Sequence, residues 1–247
     1  LDEENEDTSY QFNASTINIK TKIFLYLSGT PFRALSSGEF SDEQIYSWTY
    51  IDEQKVKQKA AKSNPHDNPY KWLPQMKMYT YEIGDEVKQR AMYLDQNEFS
   101  LNAFFEAEKV NGSFVFKDEQ NVYTWLNNLY GYDLPLKQEE YYKEHPDNRS
   151  KFPFEDIDLS ANLKHLIWFL PDIASCKAMQ DMLSKHRLYQ HFSICCCAGK
   201  EAGIGKDALI PVNNMIKNND YSITLTCGKL TTGVTVPEWT GIFMLRN

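Results

Sequence analysis

The hydrophobic pattern along the chain changes character twice. Near the N-terminus, Ile23 to Leu27 form an uninterrupted apolar run that stops abruptly at Ser28-Gly29-Thr30-Pro31. Such a run predicts a strand covered on both faces. The stretch from Ser41 then places Ile45, Trp48, Ile51 and Val56 at helical spacing, with capping-box spacing between Ser41 and Gln44. Two prolines in NPHDNPY end that helix. Trp48 and Tyr50 are read as packing residues. Residues 76–83 alternate, with Met76, Met78, Thr80 and Glu82 on one side and Lys77, Tyr79, Tyr81 and Ile83 on the other. That is the period of a strand, expected to join a neighbouring sheet. Residues 86–150 read as helical and polar-rich, anchored by FSLNAFFEAEKV and QNVYTWLNNLYG, with Gly131 as a helix stop.

The last third is the most regular. HLIWFL is a continuous apolar strand, and Asp172 caps a helix whose inner stripe is Ile173, Cys176, Met179 and Leu183. HFSICCCA is a second strand, and the stretch after it is helical with Pro211 near its start. YSITLTC is a third. The order β-α-β-α-β predicts parallel strands near 164–170, 191–198 and 221–227, joined by right-handed crossovers with helices on both faces. Ligands of such sheets lie beyond the carboxyl ends of the strands. The turns after Leu27 and Cys227 fall at those ends.

Composition narrows the function. Among 247 residues, 42% are hydrophobic, enough for a core, and no run approaches the roughly 20 apolar residues of a membrane span. The acidic start, LDEENEDTSY, is not a signal peptide. A net charge of −8 argues against strong unaided binding to a phosphate backbone, so DNA binding is expected to be weak and salt-sensitive. The five cysteines are odd in number and clustered, which suits buried free thiols in a reducing cytoplasm rather than a disulfide framework. Successive residues of a strand point to opposite faces, so Cys195, Cys196 and Cys197 are not expected to hold one metal ion.

Three signals carry chemistry in combination: LYLSGTPFR, the apolar strand and helix LIWFLPDIASCKAMQDML, and TLTCGKLTTGVTVP. Their order and spacing resemble motifs III, IV and V of superfamily 2 helicases, most closely the motor subunits of restriction–modification systems. The resemblance touches about a third of the chain. It implies two RecA-like lobes with ATP in the cleft between them and nucleic acid across the top. Residues 1–36 would be an acidic tail and the end of the first lobe. Residues 37–160 would be a mostly helical, subgroup-specific insertion, and residues 161–247 the second lobe. Ser28, Gly29 and Thr30, with Arg33 beside them, match motif III, which in the family links the ATP site to the nucleic-acid path. Thr226 to Pro237 match motif V, in which Thr231, Thr232 and Gly233 fall on the turn that approaches backbone and nucleotide. Thr235 stands where many relatives carry an acidic residue that helps hold the ribose, and threonine lacks that charge. Lys229 is either a phosphate contact or a solvated side chain.

Several parts of such a motor are missing from this sequence. It has no Walker A motif and no DExH box after an apolar strand. It ends at GIFMLRN, before the arginines of motif VI, and Arg246 stands too early to serve as one. GKEAGIGKDAL imitates a phosphate-binding loop, but its spacing is one residue too long and Asp207 replaces the magnesium-holding Ser/Thr. The expectation is therefore a fragment of an ATP-dependent DNA translocase, without catalytic residues or cofactor of its own. ATP and magnesium would be used by the intact parent. The implied partners are DNA, the first RecA-like lobe, and nuclease or methyltransferase domains or subunits. The competing expectation is a stand-alone α/β binding or scaffold module. A nuclease within the chain is not favoured, because FEDIDLS reads as an exposed acidic stretch.

Overall fold

The computed structural model describes residues 22–23, 25–27, 40–64, 66, 68–81, 100–132, 139–140, 143–144, 151–203, 205–231 and 233–247. The chain divides into two compact units, Leu1–Met78 and Tyr79–Asn247.

Among its described residues the first unit has one α-helix, α1 (Tyr50–Ser63). Its start is set by Thr49 and Asp52, which form the capping box: the Asp52 carboxylate accepts from the Thr49 N–H at 3.0 Å, and the Asp52 N–H donates to Thr49 Oγ1 at 3.3 Å. The expected box at Ser41 and Gln44 closes a short 3₁₀ turn instead, Asp42–Gln44. The predicted stripe from Ile45 to Val56 is not a core, since no residue of α1 is buried. Trp48 and Tyr50 are exposed, contrary to the packing role expected of them. Residues 23 and 25–27 have no regular structure and Ile23, Leu25 and Leu27 are exposed, so the predicted N-terminal strand is not formed there. An apolar run needs a sheet on each side to become a buried strand. Residues 76–81 are likewise not a strand, whereas 82 and 83 lie outside the described residues.

The second unit holds a four-stranded sheet. Its strands are β3 (His165–Phe169), β4 (Ser193–Cys196), β5 (Ser222–Thr226) and β6 (Gly241–Met244), in spatial order β4-β5-β3-β6 and parallel throughout. The three expected strands form at the expected places, with the short helix α4 (Ile157–Ser160) before the first and α5 (Ile173–Lys185) and α6 (Leu209–Asn218) between them. Asp172 caps α5 by accepting from the Ser175 N–H at 2.7 Å. Alternation along each strand feeds two cores. Leu166, Trp168, Ile223 and Leu225 pack with Cys176, Met179 and Leu183 of α5. Ile167, on the other face, packs with Cys197, Val212 of α6 and Leu230. Helices thus cover both faces, the α/β arrangement expected and consistent with a RecA-like fold.

The fourth strand, β6, was not anticipated. It lies beside β3 with Trp168 opposite Phe243, and its entry point, Gly241, sits against two leucines. A Cβ there would come within 2.6 Å of Leu166 Cδ2 and 2.7 Å of Leu163 Cδ2.

The segment read as helical contains α2 (Leu101–Phe104) and α3 (Glu119–Asn128), but between them lies a hairpin of β1 (Ala107–Val110) and β2 (Ser113–Phe116). Asn111 and Gly112 both have positive φ, 50° and 91°, as a two-residue hairpin turn requires. The predicted helix stop at Gly131 has φ 74°. This segment is integral to the core. Phe105 and Trp125 stack edge-on at 5.1 Å between centroids, Trp125 meets Trp168 at 6.0 Å, and Trp168 meets Phe243 at 5.1 Å. Ser175 Oγ donates to the Phe105 carbonyl at 2.7 Å, tying α5 to the end of α2.

All five cysteines are free thiols. Cys195 and Cys197 share one face of the sheet, their sulfurs 3.6 Å apart, and Cys196 packs on the other face with Cys176 and Cys227. Cys197 is buried, while Cys195 and Cys196 are half-buried. Among the described residues no group of three or more His, Cys, Asp or Glu is placed to hold a metal, and no helix is long and apolar enough to cross a membrane.

Candidate nucleic-acid-coupling loop

Central strand β5 is fully buried from Ser222 to Thr226. Its side chains alternate between apolar Ile223 and Leu225 and the hydroxyls of Ser222, Thr224 and Thr226. The chain then enters the loop 227–237 at the carboxyl end of the sheet. Thr226 Oγ1 closes the first turn of this loop, donating to the Lys229 carbonyl at 2.6 Å; it also lies 3.3 Å from the Cys197 carbonyl at the end of β4. Thr226 therefore acts as a brace, not as a contact presented to a ligand.

Lys229 has a specific partner set. Its ammonium donates to the Gly199 carbonyl at 2.5 Å and the Gly203 carbonyl at 2.6 Å. Both residues belong to the glycine-rich stretch that imitates a phosphate-binding loop. Both take positive φ, 75° and 80°. In a phosphate cradle, backbone N–H groups converge on an anion. Here carbonyl oxygens converge on a cation, the opposite polarity. Gly199 and Gly203 thus form a clasp for Lys229.

Beyond Lys229 the backbone is unusual. Leu230 takes φ 64°, rare for a side chain of its size, and is held there by burial against Ile167 and Val212. Thr231 Oγ1 donates to the Gly228 carbonyl at 2.8 Å and the residue is exposed. Gly233 takes φ 71° with open space around the position of a Cβ. The need for glycine at 233 is therefore conformational, since nothing crowds it. Thr235 is exposed. Arg246, following β6, donates from Nη1 to the Cys227 carbonyl at 2.5 Å. The Cys227 pKa is lowered chiefly by the neighbouring Cys176 thiol, with burial opposing and the Arg246 guanidinium adding a smaller effect in the same direction as Cys176.

The loop thus gathers Thr226, Lys229, Thr231, Gly233 and Thr235 at one end of the sheet, braced from β4 by Lys229 and from β6 by Arg246. Thr232, Ser28, Gly29, Thr30 and Arg33 lie outside the described residues. The braces were not legible in the sequence: Gly199 and Gly203 carry the signal of a false phosphate loop, and nothing about Arg246 marks it as a tie to Cys227. A separate cleft of about 660 Å³ lies along β4, lined in part by Phe114, Lys177, Cys195, Gly203 and Asp207.

No family model matches the chain, and no solved structure matches it. It is similar to a Mycoplasma pneumoniae (strain ATCC 29342 / M129 / Subtype 1) protein named for a type II restriction enzyme and methyltransferase (RM.MpnORF110P C-terminus), with 28% identity over 274 aligned positions. The alignment takes in 99% of this chain and 36% of that relative, so the chain spans about a third of the relative's length.

Proposed function

We propose that the chain belongs to the motor of a restriction–modification-type protein, an ATP-dependent DNA translocase or helicase, and supplies most of its second RecA-like lobe. The observation that carries this reading is the loop after β5. It lies at the carboxyl end of the central parallel strand, where ligands of such sheets bind. It is fixed at its base by Thr226 and Lys229 and left open at Thr231, Gly233 and Thr235. A loop with a rigid root and an exposed, small-residue crest suits the close approach of a nucleic-acid backbone and the passing of strain between two sites. The restriction–modification name of the Mycoplasma relative supports the setting.

In this reading Thr231, Thr232 and Gly233 couple, and Ser28, Gly29, Thr30 and Arg33 answer them from the end of the first lobe. ATP and magnesium supply the phosphoryl-transfer chemistry in the intact protein. The one lysine of the loop is clasped by carbonyls, and in this reading the phosphate cradle belongs to the first lobe. Nuclease or methyltransferase domains are the other expected partners, and the protein works in the cytoplasm.

The test is DNA-stimulated ATP hydrolysis by the intact parent protein. Thr232→Ala and Ser28→Ala should each keep the melting temperature within a few degrees if their role is coupling rather than packing. Each should lower stimulated turnover about tenfold, roughly 1.4 kcal/mol in the barrier. Normal turnover in a folded Thr232→Ala protein would favour the alternative, an α/β binding or scaffold module.

A further inference from the structure

The cleft along β4 carries chemistry that the motif loop does not use. Among the described residues β4 is an outer strand of the sheet, and the cleft of about 660 Å³ lies along it. Cys195 is half-buried and lines the cleft, together with Ala202, Gly203, Asp207 and Pro211 from the chain that follows β4. Cys197, two residues on, packs on the same face of the sheet and is fully buried. Its sulfur lies 3.6 Å from the Cys195 sulfur and 3.7 Å from the Ala208 carbonyl. One thiol of the pair faces the cleft, and the other stands directly behind it.

The two thiols are also unequal in acidity. The hydrogen bond from Cys197 lowers the Cys195 pKa, with burial opposing. The same bond, with burial, raises that of Cys197. The thiolate is the nucleophile in thiol–disulfide exchange, so Cys195 is the member that reacts first. Cys196 also borders the cleft, but it packs on the opposite face of the sheet, with Cys176 and Cys227.

We propose that Cys195 and Cys197 form a thiol–disulfide exchange site, in which Cys195 attacks a small aliphatic disulfide entering the cleft and Cys197 resolves the product. Cys195 gives its proton to water, and its thiolate attacks one sulfur of the reagent. The reagent's S–S bond breaks, and the half that leaves takes up a proton as a thiol. Cys197, its proton likewise lost to water, then attacks the Cys195 sulfur and expels the second half as a thiol. The protein dithiol loses two electrons, and the reagent gains them. Residues of a parallel strand rise about 3.3 Å each, so the two α-carbons stand about 6.6 Å apart, at the long end of what a disulfide spans. Closure draws Cys197 toward Cys195 and away from the Leu225 carbonyl, which its N–H now meets at 2.7 Å. That cost makes the bridge easily reduced, which suits a transient disulfide rather than a structural one. The inference stands independently of the motor reading.

The experiment treats the reduced full chain with bis(hydroxyethyl) disulfide near neutral pH and follows it by mass spectrometry, with remaining thiols alkylated. The native chain should lose two hydrogens and keep no adduct. Fragmentation of the peptide holding Cys195, Cys196 and Cys197 should find Cys196 alkylated and the other two bridged, and a reductant should restore both thiols. Cys197→Ser should stop at the mixed disulfide on Cys195. Cys197→Ala repeats that step where serine at this buried position disturbs folding, which circular dichroism monitors. Cys195→Ser should slow the reaction of the chain by about tenfold or more. A native chain that keeps the adduct or does not react, a bridge that includes Cys196, or first reaction at Cys196 or Cys227 would each overturn the proposal.

Discussion

Lys229 shows how one residue can decide whether a loop is a site or a hinge. Its ammonium exchanges water for two carbonyls, which ties the loop after β5 to the loop after β4. Charge-assisted bonds of this kind contribute about 1.5–3 kcal/mol, most of it felt as unsatisfied carbonyls when the cation is removed. Lys229→Met should therefore lower the melting temperature by about 3–10 °C. An unchanged melting temperature would return Lys229 to the ligand-contact role. His165 makes a different prediction. Burial lowers its pKa below the ordinary 6.5, outweighing the nearby Glu238 and Asp220 carboxylates, and its Nδ1 lies 2.9 Å from Ser222 Oγ. His191 is shifted the same way, chiefly by burial. A base whose pKa is depressed on folding binds fewer protons folded than unfolded. Its contribution is complete above the unfolded value and is lost as pH falls through the folded one. Thermal unfolding followed from about pH 7.5 to 5.5 should show stability declining below about 6.5, and His165→Asn should flatten that decline.

At the scale of elements, the sheet is where close packing leaves least freedom. Gly241 opens β6 with no room for a Cβ beside Leu163 and Leu166, both buried. Gly241→Ala should cost about 1–3 kcal/mol as overpacking, read as a shift in the denaturant midpoint without a change in slope. A neutral result would mean that β6 is loosely attached. β3 and β4 were legible from their apolar runs, β5 from its alternation of Ile223 and Leu225 with small hydroxylated residues, and α5 from its Asp172 cap. β6 was not, because the four residues Gly241–Met244 carry too little pattern. The hairpin was legible in principle: Asn111-Gly112 is the strongest two-residue turn signal, but a helical reading of FFEAEKV overrode it. The N-terminal run from Ile23 and the alternation at 76–81 misled in the opposite sense. Their patterns are those of strands, but a strand needs a partner, and periodicity does not supply one. In the loop, Thr226 and Gly233 were singled out by the resemblance to motif V, whereas the clasp of Lys229 depends on two carbonyls about 30 residues away in sequence, which no side-chain pattern encodes.

At the scale of the whole molecule, the two units differ in what holds them. Residues 79–247 enclose two apolar cores on either side of a parallel sheet. The described part of residues 1–78 relies on caps, side-chain-to-carbonyl bonds and a helix with no buried residue. A well-packed unit bearing a braced loop suits the motor proposed above, in which the sheet holds its shape and the loop at its end meets nucleic acid. The most direct measurement of that claim is steady-state phosphate release by the intact parent protein, with and without DNA. The account predicts ATP hydrolysis that rises several-fold when DNA is added and loses that rise in Thr232→Ala. Hydrolysis indifferent to DNA, or none at all in a folded and magnesium-supplied protein, would contradict it.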